Sequence, residues 1–427
     1  MLFTKKFRIN NLVDFGVTIY YNIKNSESLC YFMYAINTNE GYFLHLIKCA
    51  LKDEQPQEKP DEVSWQEVLV IAERQDAANL CWFSIEKLNN QPQGELALYW
   101  QEVYAKAASK CLKQMMEIDY LADEFTKCGY DIMFLKGSKI REYYPSPDMR
   151  TMTDIDLLVK AKDRKPIREL MKSLGYEVDL LDDGQVDAFK KLPVIYVEVH
   201  YDFSAENHVY HDIFTIDWNN LVSTDREHIY EMTFEDLYFF NIGHYAKNMH
   251  NRGMGIRAIL DSYVLWNNAS EEQKQLVLKI FKDTELEEFN NNLLKIVDIW
   301  FNGADDNGSL DNVQQYLLKT ETYGSRKSEV MLRFIDNNND AKAKSKVRFL
   351  INRLFPSADA LYSRFNIKKR IFILLPFLWL LRIIILPFSK DVNKEGRRNE
   401  IKNLNSFSKA DVEYEIEIRK QFGLIGD

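Results

Sequence analysis

Residues 150–160 read RTMTDIDLLVK, an apolar run entered through two aspartates one residue apart. Alternation followed by the continuous Leu157, Leu158 and Val159 predicts a buried strand, although aspartate is a poor strand residue. Side chains on a strand alternate between faces, so Asp154 and Asp156 point to one side while Ile155 and Leu157 point to the other. Two adjacent carboxylates repel, and each favours water or a cation. A hard divalent ion reconciles them, because Mg²⁺ takes oxygen ligands and is commonly held by one or two carboxylates together with substrate phosphates. The pair alone is a weak signal: Glu413, Glu415 and Glu417 alternate in the same way near the chain end, and there the pattern reads as a solvated face.

The surroundings of the pair sharpen it. Upstream, FLKGSK (134–139) sets a strand end, a lysine, a glycine and a serine before a helix start. Gly137 lets a backbone approach a phosphate, Ser138 adds a hydroxyl, and Lys136 adds positive charge. Downstream, YVEVHYDF (196–203) alternates again, so Glu198 and His200 share a face opposite Val197 and Val199. Glu198 is then a third strand-borne carboxylate, close enough in the chain for its strand to lie beside the first. Three carboxylates and a phosphate cradle suit in-line phosphoryl transfer, where metals neutralise the triphosphate and the protein positions the reactants. Arg150 either meets the triphosphate or holds a carboxylate in place. His200 is either a structural histidine or a partner of the catalytic groups. Lys139 and Arg141 read as solvated helix residues.

The rest of the chain frames this block. At 427 residues it is too long for one ordinary core, so two or three modules are expected. A net charge of −9 disfavours a broad grip on nucleic acid, though a local basic groove remains possible for such a chain. The five cysteines form no CxxC pair, which suits reduced thiols better than a disulfide framework or a zinc site. The N-terminus MLFTKKFRINNLVDFG lacks the apolar core of a secretory signal, so a cytoplasmic location is expected. Residues 1–40 are hard to read, with VTIYYNI and SLCYFMYAI strand-like. Residues 41–129 carry apolar residues at helical steps, with Gly129 as a stop. Residues 130–225 form a small α/β core, with strands expected at 131–135, 156–159, 176–181 and 193–203 and helices at 138–144 and 163–175. Residues 226–427 are helical, FEDLYFFNIGHYAKNMH and GIRAILDSYVLWNNAS being the best helices. The fold class is thus α+β, a small mixed sheet embedded between mostly helical N- and C-terminal regions. Within the last region, KKRIFILLPFLWLLRIIILPFSK (368–390), apolar over 371–388, is interrupted by Pro376, Arg382 and Pro387. It reads first as a buried or groove-filling helix and second as an interfacial helix with peripheral membrane contact.

LKGSK, PDMRTMTDIDLLV and IYVEVHYDF resemble the three motifs of the polymerase-beta-type nucleotidyltransferase superfamily. They are most similar to a large, poorly characterised bacterial family of nucleotidyltransferase-like proteins. SWQEVLVIAERQDAANLCWFS and GHYAKNMHNRGMGIRAILDSYVLW resemble that family too, so the likeness spans about 60 to 270 and more loosely reaches 390. It implies two Mg²⁺ or Mn²⁺ ions and an NTP donor, most simply ATP. It also implies Asp154, Asp156 and Glu198 as metal ligands and catalytic residues, with Gly137 and Ser138 on the triphosphate. Glu198 stands where aspartate is more usual, leaving it as metal ligand, general base or both. The interval from Ser138 to Asp154, with Pro145 and Pro147 inside it, is longer than usual for the superfamily. In the helical part, His244 with Lys247 and Arg257 with Asp261 either pair along helix surfaces or form a helical wall that contacts the nucleotide.

The activity implied is transfer of a nucleoside monophosphate to an acceptor with release of pyrophosphate. The acceptor could be a small molecule, a sugar or peptide intermediate, or a protein; long nucleic acid fits the acidic charge least. Two alternatives share the sequence features: a phosphotransferase using the γ-phosphate on the same fold, and a catalytically degenerate scaffold that binds a partner.

Overall fold

The computed structural model describes residues 35–161, 164–181, 186–202, 218–322, 324, 326–336, 355, 358, 361, 374–385 and 406–425. VTIYYNI, most of SLCYFMYAI with Cys30, the Phe203 end of the last expected strand, and the apolar segment on either side of 374–385 lie outside these residues.

The N-terminal helices are α1 (Asn39–Lys52), α2 (Trp65–Arg74), α3 (Ala78–Ile85) and the long α4 (Glu95–Lys127). Side chains close their exposed N–H groups: Thr38 caps α1 and Ser64 caps α2. Gly129, at φ +72°, follows α4 where the sequence places a stop. The sheet unit follows: β1 (Ile132–Phe134), the single turn α5 (Gly137–Ile140), β2 (Ile155–Val159), α6 (Arg164–Ser173), β3 (Glu177–Leu181), β4 (Val186–Lys191) and β5 (Ile195–His200). A short hairpin, β6 (Val222–Ser223) and β7 (Tyr230–Glu231), leads into α7 (Phe234–Asn251), α8 (Arg257–Asn268), α9 (Glu271–Phe281), α10 (Glu287–Val297), α11 (Asp311–Lys319), α12 (Arg326–Asp336), α13 (Leu375–Ile385) and α14 (Lys409–Gln421). The expected α+β class is what the chain adopts.

The five strands run in the order β1-β2-β5-β4-β3. Only β2 and β5 pair in parallel; the other neighbours are antiparallel, which makes the sheet mixed. Parallel pairing needs a crossover, and α6 with the β3–β4 hairpin supplies it. The strand β4 has no counterpart among the expected elements. Its buried face carries Asp187 beside Phe189, and a carboxylate at an inward position breaks the apolar pattern. Arg168 of α6 grips both Asp187 oxygens at 2.8 Å, and the Tyr201 hydroxyl donates to it at 2.8 Å.

The sheet's two faces differ. Ile155, Leu157, Val159, Val197, Val199 and Phe189 pack against Leu121 and Phe125 of α4 and Ile167 and Met171 of α6. On the opposite face Met133, Leu135 and Leu158 meet Phe240 of α7. A second, larger core joins α1–α3 to α7–α11, with Ile418 and Phe422 at its end. The helices before and after the sheet unit therefore share one apolar interior, and α7 bridges it to the strands.

One expectation near the chain end is corrected. Residues 413–417 are helical, not alternating, and Glu415 is buried in an ion pair with Arg419, whose guanidinium also donates to the Met249 carbonyl at 2.7 Å. Only the exposed Glu413 and Glu417 fit a solvated face. In α13, Leu375 and Leu378 are buried beside Leu361 while Phe377 and Leu380 are exposed. No helix among the described residues is long and apolar enough to cross a membrane.

Candidate active site

Because β2 alternates, Ile155 and Leu157 enter the core behind the sheet and Asp156 emerges on the α7 side. The parallel register sets Asp156 opposite Glu198 and Leu158 opposite His200. Strands 42 residues apart in the chain thus place two carboxylates and an imidazole side by side. Ligand atoms of Asp156, Glu198 and His200 lie within 4.8 Å of one another. Asp156 and Glu198 line a cavity of about 420 Å³, within the size range of small-ligand sites, and His200 sits behind them against Asp156. Asp154, just before β2, lines the same cavity but stands outside that tight trio among the described residues. The carboxylates expected from the sequence therefore converge, with His200 drawn closer than Asp154.

Lys136 reaches in from the turn after β1. Its Nζ lies 2.6 Å from Asp156 Oδ1, and His200 Nε2 lies 2.9 Å from the same oxygen. The Lys136 backbone is held at φ +47°, a region that side-chain-bearing residues avoid, at a cost of about 1–3 kcal/mol. The Leu135 N–H to Asp156 carbonyl bond, 3.0 Å, fixes this turn against β2.

The charges explain the titration behaviour. Burial alone would raise the Asp156 carboxyl, but the Lys136 ammonium and the His200 bond outweigh it and hold the group well below the usual carboxylate range. Lys136 is correspondingly raised: burial works against its charge and Asp156 more than compensates. Glu198, its side chain 37% exposed, is pushed up to about 7 by burial and by repulsion from Asp156 and Asp154, which Lys136 and Lys247 only partly offset. Asp154 is raised for the same reasons, burial first and Asp156 second. Burial lowers His200 despite its bond to Asp156.

Gly137 also makes room for neighbouring side chains. A Cβ there would come 2.4 Å from Arg150 Nη1 and 2.7 Å from Met152 Sδ, so the glycine admits the Arg150 guanidinium. Ser138 is buried, its Oγ rests 4.0 Å from Met152 Sδ, and its N–H donates to the Leu135 carbonyl at 3.2 Å. In this arrangement Lys136, Gly137 and Arg150 line the cavity and Ser138 stands behind them.

Arg150 holds a carboxylate in place, an unexpected one, while its side chain still lines the cavity. Its Nε and Nη2 donate to Asp261 at 2.9 and 2.7 Å. The same carboxylate accepts the Tyr144 hydroxyl at 2.7 Å and the Tyr245 hydroxyl. Arg257 also lines the cavity and donates to the Thr151 carbonyl and to Asp76 at 2.9 Å. Arg141 corrects the expectation of a solvated residue: it is 2% exposed and donates to Gln114 at 3.1 Å. Lys139 is partly buried between Glu142 and Glu231.

The far wall belongs to α7. His244 lines the cavity, while Lys247 is half-buried near Glu198 and off the lining. Asn241, Tyr245, Asn248 and Arg252 line it as well, and the sequence reading missed all four. The available signal was polar Asn241, His244 and Asn248 at helical spacing inside NIGHYAKN, a helix otherwise rich in apolar residues.

The donor set fits the divalent ions that the motifs imply. Aspartate and glutamate oxygens suit Mg²⁺ or Mn²⁺, and an imidazole suits the transition ion better. Burial first and repulsion from Asp156 second displace Asp154 and Glu198 upward, Lys136 offsets this in part, and a bound cation would relieve the repulsion.

Residues 61–302, more than half of the chain, match a family described as uncharacterised nucleotidyltransferase. No curated protein matches. Among solved structures, an antigenic nucleotidyltransferase-like protein from Paracoccidioides brasiliensis is similar at 16% identity and a TM-score of 0.27, over 42% of this chain and 91% of that one. On the family match, this chain belongs to the uncharacterised nucleotidyltransferases.

Proposed function

We propose that the chain is a metal-dependent nucleotidyltransferase of the polymerase-beta type that moves a nucleoside monophosphate, most simply AMP from ATP, onto an acceptor hydroxyl. The observation that carries this reading is the pairing of Asp156 with Glu198 across parallel strands, on the sheet face that opens to a cavity rather than to the core. Asp156 and Asp154, with His200 beside them, would hold the cation, and Glu198 would complete the set. A divalent ion bound there supplies charge neutralisation to the triphosphate.

The chain's own groups do the rest. Lys136 and Arg150 present cationic N–H groups to the phosphates, Arg150 from a position fixed by Asp261. The acceptor oxygen attacks the α-phosphorus, the bond to the bridging oxygen breaks, and pyrophosphate leaves with the electron pair. Where Glu198 is not occupied as a ligand, its carboxylate, at about 7, is matched to take the acceptor's proton near neutral pH. The acceptor is a small molecule, a sugar or peptide intermediate, or a protein.

Calorimetry with ATP and Mg²⁺, on the wild type and on Asp156→Asn plus Glu198→Gln, tests the site. Mg²⁺-dependent binding that the double change abolishes supports it, and binding indifferent to both changes favours a scaffold. Labelled ATP then separates the reactions: label reaching an acceptor from the α position supports nucleotidyl transfer, and label from the γ position means phosphotransfer.

A further inference from the structure

The walls of the cavity differ in charge. The sheet side carries Lys136, Asp154, Asp156 and Glu198, whereas the α7 side offers the amides of Asn241 and Asn248 around His244, with a charged group, Arg252, only at the helix's C-terminal end. His244 is kept uncharged by burial and by the Lys136 ammonium, and its Nε2 accepts from Asn248 Nδ2 at 3.1 Å. Asn241 is 3% exposed, and among the described residues its Nδ2 finds no hydrogen-bond partner. Its neighbour Phe240 packs on Leu158, Met133 and Leu135, so the helix is pinned to the sheet at this point and the amide has little freedom to seek water. A buried amide donor left unmet is costly to a fold, and a position where leucine would pack without that cost holds asparagine instead.

We propose that Asn241 donates this hydrogen bond to the nucleoside part of the bound nucleotide, making the α7 wall the subsite for its uncharged end. The inference rests on the nucleotide-binding reading above and assigns the orientation within it: triphosphate toward Lys136 and Arg150, nucleoside toward Asn241, His244 and Asn248. The acceptor on the ligand is a ribose oxygen or a ring nitrogen of the base. Phosphate oxygens are the wrong partner for a neutral amide when two cationic side chains stand across the cavity.

Calorimetry with Mg²⁺ and either ATP or inorganic tripolyphosphate tests the assignment in the wild type, Asn241→Leu and Asn241→Ala. Both changes are expected to weaken ATP about tenfold, the typical worth of one hydrogen bond, and to leave tripolyphosphate within about twofold. Asn241→Leu without ligand is expected to melt no lower than the wild type, because the unmet donor is gone. Repeating the series with 2′-deoxy-ATP separates the two acceptors: a penalty that vanishes places the bond on the 2′-oxygen, and one that persists places it elsewhere on the nucleoside. Parallel weakening of both ligands, or no weakening of either, overturns the proposal while leaving nucleotide binding in place. Wild-type protein that binds ATP no tighter than tripolyphosphate also overturns it, and wild-type protein that binds neither removes the nucleotide reading itself.

Discussion

Replacing Asp261 with asparagine should destabilise the protein far more than a one-atom change suggests. The carboxylate is fully buried and accepts from Arg150 Nε and Nη2 and from the hydroxyls of Tyr144 and Tyr245. An asparagine keeps one acceptor oxygen and turns a donor toward groups that are themselves donors. It also leaves the buried Arg150 guanidinium without its counter-charge, in a neighbourhood where Arg141 is already disfavoured by burial and by Arg150 and Arg257. Breaking a buried pair from one side costs about 3–5 kcal/mol, equivalent to a shift of roughly a hundred- to several-thousand-fold in the folded-to-unfolded ratio. Urea unfolding at pH 7, followed by tryptophan fluorescence and far-UV circular dichroism, measures it. Burial pushes the Asp261 carboxyl up, but Arg150 outweighs burial and its folded value lies below the ordinary one. A depressed carboxylate contributes stability above its unfolded pKa and loses it as pH falls through the folded value. The gap between wild type and variant should therefore stay constant from pH 8 to 5 and close only below about pH 4. Arg150→Met combined with Asp261→Leu should recover much of the loss, since no charge is then stranded. An Asp261→Asn protein within roughly 1 kcal/mol of the wild type at pH 7, the ordinary effect of a benign substitution, refutes this account.

Three further outcomes follow from the site. Mn²⁺ affinity should rise as pH climbs from 6 to 8, because Glu198 titrates at about 7 and binds a cation only once deprotonated; Asp154→Asn should move that midpoint down, and a flat profile counts against the assignment. Lys136→Met leaves Asp156 without its ammonium, so the metal-free protein should melt lower and bind Mn²⁺ at least about tenfold more tightly by thermal-shift titration; an unchanged Mn²⁺ response would sink the idea that Lys136 stands in for a cation. Gly137→Ala drives a methyl group into Arg150 Nη1 and Met152 Sδ and should cost about 1–3 kcal/mol in unfolding free energy together with nucleotide affinity, read by urea titration and calorimetry.

Much of the carboxylate site was legible because strands declare their faces. Alternation around Ile155 and Leu157, and again around Val197 and Val199, was enough to put Asp156, Glu198 and His200 on one side. What alternation does not supply is which strands are neighbours, and the pairing of β2 with β5 came from chain length alone. The rest was hidden where polar groups are buried with partners far off in sequence. Asp187 disguised β4 because its partner Arg168 lies on α6. Arg141 looks like a surface arginine, and the carboxylate that Arg150 holds has no name, until Gln114 and Asp261 are brought to them by folding. Gly137 reads as a phosphate turn, and its lack of a side chain also accommodates the guanidinium of Arg150, 13 residues downstream, which no local pattern announces. Asn241 was overlooked because its polar stripe with His244 and Asn248 is short and set in a helix otherwise rich in apolar residues.

The single parallel pairing in the sheet also sets an order of events during synthesis. When the ribosome has delivered Asp154 and Asp156, neither Glu198 nor the strand that carries it exists, and α7 is later still. A nascent chain therefore holds Asp154 and Asp156 before the groups that face them from β5 and α7 exist, while Lys136, 20 residues upstream of Asp156, is already made. On the function proposed above, cation capture would wait until the crossover closes and β5 lies beside β2.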